Sequence, residues 1–202
     1  MLYAKDSGGR KVRATPLARA YCPNCGTKVL AKCGEINVWH WAHKGADQCD
    51  SWADRESDWH RHWKSLMPPE QVEIVIEKNG ERHVADIVTK DGIIIELQSS
   101  HISPIEIEER EQFYDRMVWL FDVSEAVSSG RLRLRGLRNE YQTFRWQHPR
   151  KHIAYTTRTT WLDLDPSFGD VFLLKKMYAN TPCGGWGYLE SKLTLLKQWE
   201  VA

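Results

Sequence analysis

The sequence predicts an α/β protein in three parts: a small module at residues 1–50, a core at 51–124 and a β-rich extension at 125–202. Closely spaced Cys and His pairs mark the first part. Apolar strand-like runs between helical segments, joined by tight Asn-Gly and Asp-Gly turns, mark the second part. Alternating Arg and Leu residues open the third. A chain of 202 residues is long enough to bury a core without disulfides.

The composition is that of an ordinary globular chain, with 42% hydrophobic and 27% charged residues, and it argues against disorder. No apolar run approaches the roughly 18 residues of a membrane-spanning helix. The first 20 residues include Asp6, Arg10, Lys11 and Arg13 and lack the apolar stretch of a secretory leader. We therefore expect a cytoplasmic protein with no membrane partner.

The formal net charge of +1 conceals a segregation of charge along the chain. Residues 1–50 carry a net charge of +4, residues 51–130 one of −9, and residues 131–202 one of +6. Basic ends around an acidic middle are typical of a chain whose ends attract a polyanion while the middle builds a cation-requiring site. The alternative is a solvated acidic helix followed by an arginine-rich loop.

Residues 1–50 contain a predicted hairpin and a predicted zinc site. Strand-like runs at 2–4 and 12–14 flank a Gly-Gly turn. A Cys-x2-Cys pair with the spacing of a zinc knuckle is followed, after 14 intervening residues, by a His-x2-His pair. Thiolate and imidazole are ligands that structural Zn²⁺ prefers. The predicted tetrahedral site consists of Cys22, Cys25, His40 and His43.

Other interpretations of the cysteines stay open. Cys22 and Cys25 have the spacing of a thioredoxin-like redox pair, but no strand-to-helix pattern surrounds them. A disulfide is disfavoured because nothing in the sequence indicates an oxidising compartment. Cys33 or Cys49 can replace one histidine as a zinc ligand. Cys183 stands alone and is expected to be a small buried residue.

The core begins with a predicted helix at residues 52–66. At 100° per residue, its apolar residues fall within one narrow arc, which is typical of a core-facing stripe. Glu56 lies at the edge of this arc, with His60 and Lys64 four and eight residues further on. A carboxylate aimed at a core is costly unless it is paired or binds a cation. The alternative is that Glu56 lies at the edge of the stripe with its carboxylate in solvent. The stripe consists of Trp52, Trp59, Trp63 and Leu66.

Three strand-like runs follow, at residues 72–77, 82–88 and 93–98. Because an Asn-Gly and an Asp-Gly turn join them, we expect three consecutive antiparallel strands. Asp86 and Glu96 interrupt the second and third runs, whose other residues are mostly apolar. Two carboxylates about 4 Å apart repel by about 4 kcal/mol at an effective dielectric constant near 20. A shared proton or a divalent cation relieves this repulsion, and oxygen-only ligands favour Mg²⁺ or Mn²⁺.

A second helix and a fourth strand complete the core. Ser103, Pro104 and Glu106 have the spacing of a capping box, and the predicted helix runs to about Arg116. The continuous apolar run at residues 117–121 is typical of a buried strand. The helix that precedes it predicts a parallel crossover.

This order of elements, with carboxylates on the first helix and on strands two and three, resembles the restriction-endonuclease-like PD-(D/E)xK nucleases. The matching motif is Asp86, nine residues, then Glu96-Leu97-Gln98. That superfamily usually has Lys where this chain has Gln98. A lysine neutralises charge and polarises the attacking water, whereas a glutamine orients it only by hydrogen bonds.

A longer ordered set of residues carries a narrower resemblance. The set consists of Cys22-Pro23-x-Cys25, His40-Trp41-Ala42-His43, Glu56-Ser57-x2-His60-x3-Lys64, Ala85-Asp86, Glu96-Leu97-Gln98-x-Ser100, Arg110-x3-Tyr114 and Val118-Trp119. Together these residues resemble the competence protein CoiA family over about residues 1–122, with weaker echoes at 144–151 and 186–187. The resemblance implies a zinc-ribbon-like N-terminal module and a restriction-endonuclease-like core (α-β-β-β-α-β) with Gln in the Lys position.

The resemblances imply a metal-dependent DNA nuclease that acts in recombination or in transformation-type DNA processing. Asp86 and Glu96, with the main-chain carbonyl of Leu97, are expected to hold Mg²⁺ or Mn²⁺, and Glu56 to complete or support this set. Gln98 is expected to orient the attacking water. Two further candidates for phosphate contact or proton transfer are His60 and Lys64.

The expected partners are single-stranded or branched DNA and recombination proteins. The alternative function is a catalytically inactive DNA-binding or protein-interaction module that retains the nuclease fold, and Gln98 favours it. A zinc-scaffolded redox protein is a remote third class.

The last third of the chain combines basic and aromatic residues. Alternation with leucines places Arg131, Arg133 and Arg135 on one face of a predicted strand. Basic residues contact phosphates, and aromatic rings stack on unpaired bases at about 1–3 kcal/mol per base. An exposed strand with buried aromatic residues is the alternative. The predicted DNA-binding residues are Arg131, Arg133, Arg135, Arg138, Arg145, Arg150 and Lys151.

Beyond this segment the sequence predicts two strands joined by a turn, around residues 161–164 and 171–174. A loop is expected at 182–187, because its composition is rich in Pro and Gly. Residues 189–200 are expected to form a short terminal helix.

Overall fold

The computed structural model describes residues 1–36, 38–45, 49–52, 56–138, 141–165, 169–178, 180 and 183–200. The chain divides into two compact units, residues 1–88 and residues 89–202. The fold is mixed α/β, with a small N-terminal sheet and a larger sheet of mixed strand direction. Among the described helices, none combines the length and the apolar character that crossing a bilayer requires.

The first unit opens with a small sheet whose described strands run in the order β2-β1-β3-β4-β5. The predicted hairpin is present, with Ala4 opposite Val12. The core of this sheet is made mostly of small side chains around one large ring, Trp41, whose Nε1 donates to the Val12 carbonyl at 3.0 Å. The strands are β1 (Tyr3–Lys5), β2 (Lys11–Arg13), β3 (Ala20–Tyr21), β4 (Lys28–Lys32) and β5 (His40–Ala42).

Helix α1 spans Asp58–Ser65 and is shorter than the predicted helix. Ser57 begins it, because its side chain accepts a hydrogen bond from the backbone N–H of His60. The predicted stripe is correct for Trp59 and Trp63, which are buried. It is wrong for Trp52, which precedes the helix and stacks on His83 with ring centroids 3.4 Å apart.

Strands β6 (Val72–Lys78) and β7 (Glu81–Val88) form the predicted antiparallel hairpin. Asn79 and Gly80 connect them with φ angles of 55° and 83°. A two-residue turn with both φ angles positive matches the right-handed twist of the strands, which is why Asn-Gly is preferred there.

In the second unit the described strands run in the order β10-β11-β14-β13-β12-β9-β8. Strands β8, β9 and β12 are mutually parallel, which confirms the predicted crossover from β8 through α2 to β9, and the other pairs are antiparallel. The strands are β8 (Ile94–Gln98), β9 (Met117–Asp122), β10 (Leu132–Arg138), β11 (Tyr141–Trp146), β12 (Thr159–Asp163), β13 (Asp170–Tyr178) and β14 (Cys183–Ser191). The helices are α2 (Pro104–Tyr114), α3 (Ser124–Ser128) and α4 (Lys192–Glu200).

The expected loop at 182–187 is wrong over its described residues, because they belong to β14. A Cβ added at Gly185 would overlap the Lys176 carbonyl oxygen and lie 2.6 Å from the Phe144 ring. One added at Gly187 would overlap the Leu173 carbonyl oxygen and lie 2.6 Å from the Phe172 ring. These glycines therefore serve packing, since they let two aromatic rings lie against the strand. The terminal helix accordingly starts at Lys192 and not at residue 189.

Candidate functional site

A cluster of three cysteines and one histidine lies beside the N-terminal sheet. The ligand atoms of Cys22, Cys25, His43 and Cys49 all lie within 4.8 Å of one another. Cys22 Sγ is 3.6 Å from Cys49 Sγ, and Cys25 Sγ is 3.4 Å from His43 Nε2. Tetrahedral zinc with bonds of about 2.0–2.3 Å separates its ligand atoms by roughly 3.5–3.8 Å. The cluster could therefore bind zinc.

Local backbone structure explains how the cluster forms. In the Cys-x2-Cys turn, the Gly26 N–H donates to the Cys22 carbonyl at 3.0 Å, and Gly26 has a φ of 72°. The turn also carries Asn24, whose Nδ2 donates to the Cys49 carbonyl at 2.9 Å. This contact holds Cys49 against the knuckle although the two are distant in sequence.

Cys49 takes the position that the sequence predicted for His40. His40 lies in β5, and its Nδ1 is 2.9 Å from the Val38 carbonyl oxygen. Residues three apart along extended backbone point to opposite sides, so the spacing of His40 and His43 does not bring both rings to one metal. Cys33 is half-buried and packs against the core of the small sheet. The sequence left open whether Cys33 or Cys49 takes the place of one histidine, and the structure places Cys49 there.

The thiols of the cluster differ in acidity. Burial opposes ionisation of Cys25, but hydrogen bonds from Thr27 and His43 outweigh it and lower the pKa of this thiol to about 6. Burial, together with the neighbouring Cys22, raises the pKa of Cys49 to about 12. Cys25 therefore ionises more readily than Cys49.

A second cluster in the first unit surrounds the ammonium group of Lys64. This group lies 2.8 Å from Asp86 Oδ1, 3.0 Å from Glu56 Oε1 and 3.3 Å from Glu73 Oε1. Lys64 is only 5% exposed. Burial lowers the pKa of its ammonium group, but the three carboxylates outweigh burial and raise it well above the usual value. Lys64 is therefore a buried cation that three carboxylates share.

Glu73 is a member of this cluster that sequence reasoning missed. It is 3% exposed, and its carboxylate accepts hydrogen bonds from the backbone N–H groups of Leu2 and Tyr3 at 2.8 and 2.9 Å. Its φ of 53° departs from strand geometry, which turns the side chain away from the alternation that the sequence indicates. Alternation alone gives no signal for such a residue.

The other two predicted residues of the first helix have different surroundings. The second carboxylate oxygen of Glu56 lies 3.2 Å from the amino group of Met1. Burial opposes ionisation of Glu56, but Lys64 and this amino group outweigh it and lower the pKa to about 2. His60 is buried, and its Nδ1 lies 2.7 Å from Ser57 Oγ, so its ring takes part in capping α1.

The second unit holds the remaining residues of the nuclease-like motif on β8. Glu96 is 3% exposed, and one of its oxygens accepts a hydrogen bond from Arg110 Nη1 at 2.7 Å. Gln98 is 1% exposed, and its Nε2 donates to Ser100 Oγ at 2.9 Å. Leu97, between them, is buried on the opposite face of the strand. Both polar side chains of the motif are thus held in fixed orientations by neighbours from the same unit.

Three of the predicted DNA-binding residues share the outer face of β10 and β11. Arg133 and Arg145 lie directly opposite each other, and Arg135 lies opposite Thr143. All three arginines are exposed. Like charges directly opposite on neighbouring strands repel each other, which favours binding of an anion there.

The other four are spread over different positions. Arg131 forms an ion pair with Glu125. Arg150 is half-buried and donates to the Asp122 carbonyl at 3.0 Å, and burial lowers the pKa of its guanidinium. Lys151 is exposed at the start of a 3₁₀ helix over Lys151–Tyr155. Arg138 ends β10, and its side chain lies outside the described residues.

The fold and the Cys/His cluster define a mixed α/β protein whose N-terminal module carries a cluster that could bind zinc. Residues 12–51, which include all four cluster residues, match the family model described as competence protein CoiA, N-terminal domain. The match covers 40 of the 202 residues; over that segment it confirms the predicted resemblance, and it supports a CoiA-like family. It points to a competence-related function. No curated protein and no solved structure matches the chain.

Proposed function

We propose that this chain is a cytoplasmic, metal-dependent DNA nuclease of the PD-(D/E)xK type that acts in competence-related DNA processing. The observation that carries the proposal is the convergence of Glu56, Glu73 and Asp86 on one ammonium group, at 2.8–3.3 Å. Burying several carboxylates together is costly unless positive charge accompanies them. The convergence therefore supports a centre built to hold cations, in the segment where the family motif places its acidic residues.

The donor chemistry of these residues fits a hard divalent cation. The Asp86 side chain is 19% exposed and the Glu56 side chain 13% exposed, so both carboxylates remain within reach of solvent ions. Carboxylate oxygens are the ligands that Mg²⁺ and Mn²⁺ prefer. In this proposal Asp86 and Glu96, with the Leu97 carbonyl, hold the ion and Glu56 supports them. The bound ion would lower the pKa of a water molecule and stabilise charge on the scissile phosphate.

The remaining residues of the motif act by charge and orientation. Lys64 supplies positive charge beside Asp86. This charge takes the place of the one that a lysine supplies in the usual motif, where this chain has Gln98. Ser100 holds the Gln98 amide, which can then orient a water molecule by a hydrogen bond. Arg110 donates a charge-assisted hydrogen bond to one oxygen of Glu96 and thereby positions its carboxylate.

The proposal is tested by incubating the full chain with single-stranded, duplex and branched DNA in Mg²⁺ or Mn²⁺. We expect cleavage that falls at least 100-fold in Asp86→Asn and in Glu96→Gln, because each change removes a metal ligand. Glu77→Gln is the matched control, since Glu77 is an exposed carboxylate of β6 outside the cluster. Absence of cutting under every condition, or equal cutting by the three variants, would refute the proposal.

A catalytically inactive DNA-binding module is the second candidate. It is favoured by the ion pairs that already neutralise the acidic residues, Asp86 with Lys64 and Glu96 with Arg110. In that case the chain binds DNA with an affinity that falls as the salt concentration rises, but it cuts no DNA with any cation. The same incubation, combined with a binding measurement, separates the two candidates.

For the N-terminal module we propose a structural zinc ion held by Cys22, Cys25, His43 and Cys49. The donor set is saturated with four ligands, which is typical of structural and not of catalytic zinc. The module buries mainly small side chains, so metal binding of the order of 10 kcal/mol would contribute much of its stability.

A further inference from the structure

Strand β14 has the reverse of the usual distribution of side-chain sizes. Its buried positions hold Cys183, Gly185 and Gly187, whereas the two large aromatic residues between and after the glycines, Trp186 and Tyr188, point to the other face and are only half-buried. A strand that covers a core normally directs its large apolar residues inward. The fold therefore leaves two aromatic rings on the outer face of the sheet.

These two rings belong to a group of aromatic residues. The Trp186 ring centroid lies 5.4 Å from that of Tyr141 and 6.1 Å from that of Tyr188, both with edge-to-face geometry. Tyr178, on the neighbouring strand, is 53% exposed. Trp186 and Tyr188 lie within β14, which pairs with β11 on one side and β13 on the other, so the rings sit on a paired strand and not on a loop.

Positive charges surround the rings in register. Across four strands, one row reads Arg135, Thr143, Trp186 and Lys176, and the next reads Arg133, Arg145, Gly184 and Tyr178. A shift in register between Leu174 and Lys176 leaves Lys175 and Lys176 both exposed, and Lys175 lies over the Tyr188 ring at 5.8 Å. The acidic residue of β14 that is described, Glu190, lies at the far end of the strand.

We propose that this outer face of β10, β11, β14 and β13 is a binding platform for single-stranded DNA. Trp186, Tyr188 and Tyr141 would stack on bases, and Arg133, Arg135, Arg145, Lys175 and Lys176 would contact the phosphates. The inference deepens the proposed nuclease function by naming its substrate class, but it does not depend on cleavage.

The combination of rings and charges selects a single strand over a duplex. Bases in a duplex are stacked on each other and present only their edges in the grooves, whereas a single strand offers base faces to aromatic side chains. A flat array of arginines and lysines with no described acidic residue among them also disfavours a protein partner of ordinary mixed charge, because like charges would be left unpaired.

The test measures binding of the full chain to a fluorescein-labelled 20-nucleotide oligo(dT) and to a duplex of equal length by fluorescence anisotropy. The buffer contains no added Mg²⁺ or Mn²⁺, so that no cleavage occurs, and no chelator, so that zinc is retained. We expect tighter binding of the single strand. Trp186→Ala should weaken it about 5- to 150-fold, the range that loss of one stacked base contact produces. Trp186→Phe, which keeps a stacking ring, should remain close to wild type.

Two matched controls separate the platform from general effects. Tyr155→Ala removes a 60% exposed aromatic ring of the same unit, and Lys90→Gln removes an exposed positive charge of the same unit. Both should bind like wild type. Arg145→Gln should reduce the slope of log Kd against log salt by about 0.7, as expected for one phosphate contact with a single strand.

Several outcomes overturn the proposal. One is that a folded Trp186→Ala variant binds the single strand as tightly as wild type; another is that Tyr155→Ala loses as much affinity as Trp186→Ala. The proposal also fails if the wild type binds the duplex at least as tightly as the single strand, or if it binds neither. Asp86→Asn keeps these results distinct from the nuclease proposal. If Asp86→Asn and wild type bind the single strand equally in this buffer, and wild type cuts no DNA in the separate incubation with Mg²⁺ or Mn²⁺, the nuclease proposal fails and the platform stands.

Discussion

The burial of His152 leads us to expect that the second unit loses stability in mild acid. The ring is 4% exposed, lies 4.8 Å from the His101 ring and 6.0 Å from the Phe121 ring between centroids, and its Nε2 has no hydrogen-bond partner among the described residues. Burial, and then the charges of His101 and Arg150, lower the pKa of His152 from 6.5 to about 4. Between about pH 6.5 and pH 4 the ring is therefore neutral in the folded protein but protonated in the unfolded chain.

The magnitude follows from this pKa difference. As the pH falls below 6.5 the unfolded chain binds a proton that the folded protein refuses until about pH 4, so stability decreases through that window. Between pH 7 and pH 5 the two titration curves give a loss of about 2 kcal/mol, rising to roughly 3 kcal/mol below pH 4. Glu56 acts at lower pH, because its pKa is lowered from 4.5 to about 2. Its ionised carboxylate stabilises the folded protein fully above pH 4.5, and this stabilisation is lost as the pH falls from 4.5 toward 2.

The assay is urea denaturation at pH 7.0 and pH 5.0, with wild type compared with His152→Leu, which cannot titrate. We expect the wild type to lose about 2 kcal/mol more between the two pH values than the variant. His62→Gln, a change of an exposed histidine, should behave like wild type. An equal loss in His152→Leu, or an NMR titration that gives the His152 ring a pKa near 6.5, would show that the reasoning is incorrect.

Three further predictions concern the N-terminal cluster, the glycine strand and the buried lysine. Cys49→Ser should lower the zinc content of the purified chain, measured by mass-spectrometric metal analysis, to well under one equivalent, whereas His40→Asn should leave it unchanged. Loss of zinc in His40→Asn and its retention in Cys49→Ser would contradict the assignment. Gly185→Ala should lower the free energy of unfolding by about 1–3 kcal/mol, because its Cβ would overlap the Lys176 carbonyl oxygen and the Phe144 ring, and an unchanged Tm would contradict this close packing. Lys64→Met should lower the free energy of unfolding, measured by urea denaturation, by about 3–5 kcal/mol, because it leaves buried carboxylates without their cation. An unchanged free energy of unfolding would mean that the cluster is solvated.

The sequence by itself determined the features that depend on neighbouring residues. Asn79-Gly80 predicts the β6–β7 hairpin because few other pairs adopt its dihedral angles, and Ser103 predicts the start of α2 because its hydroxyl accepts from the Glu106 N–H at 3.0 Å. The Cys-x2-Cys turn and the apolar run that becomes β9 are local signals of the same kind. The match of residues 12–51 to the CoiA N-terminal domain likewise follows from motifs that can be read along the chain.

Tertiary structure decided which distant groups meet. Cys49 joins the Cys/His cluster, where its carbonyl accepts a hydrogen bond from Asn24 across 25 residues of sequence. Glu73, whose φ of 53° departs from strand geometry, lies 3.3 Å from the Lys64 ammonium group. The composition of the glycine-rich segment indicated a loop, but the segment pairs with β11 and β13, and its glycines leave room for the Phe144 and Phe172 rings and for carbonyl oxygens of β13. Spacing and periodicity describe where a side chain points within its own element. What it meets there depends on long-range packing, which no local pattern encodes.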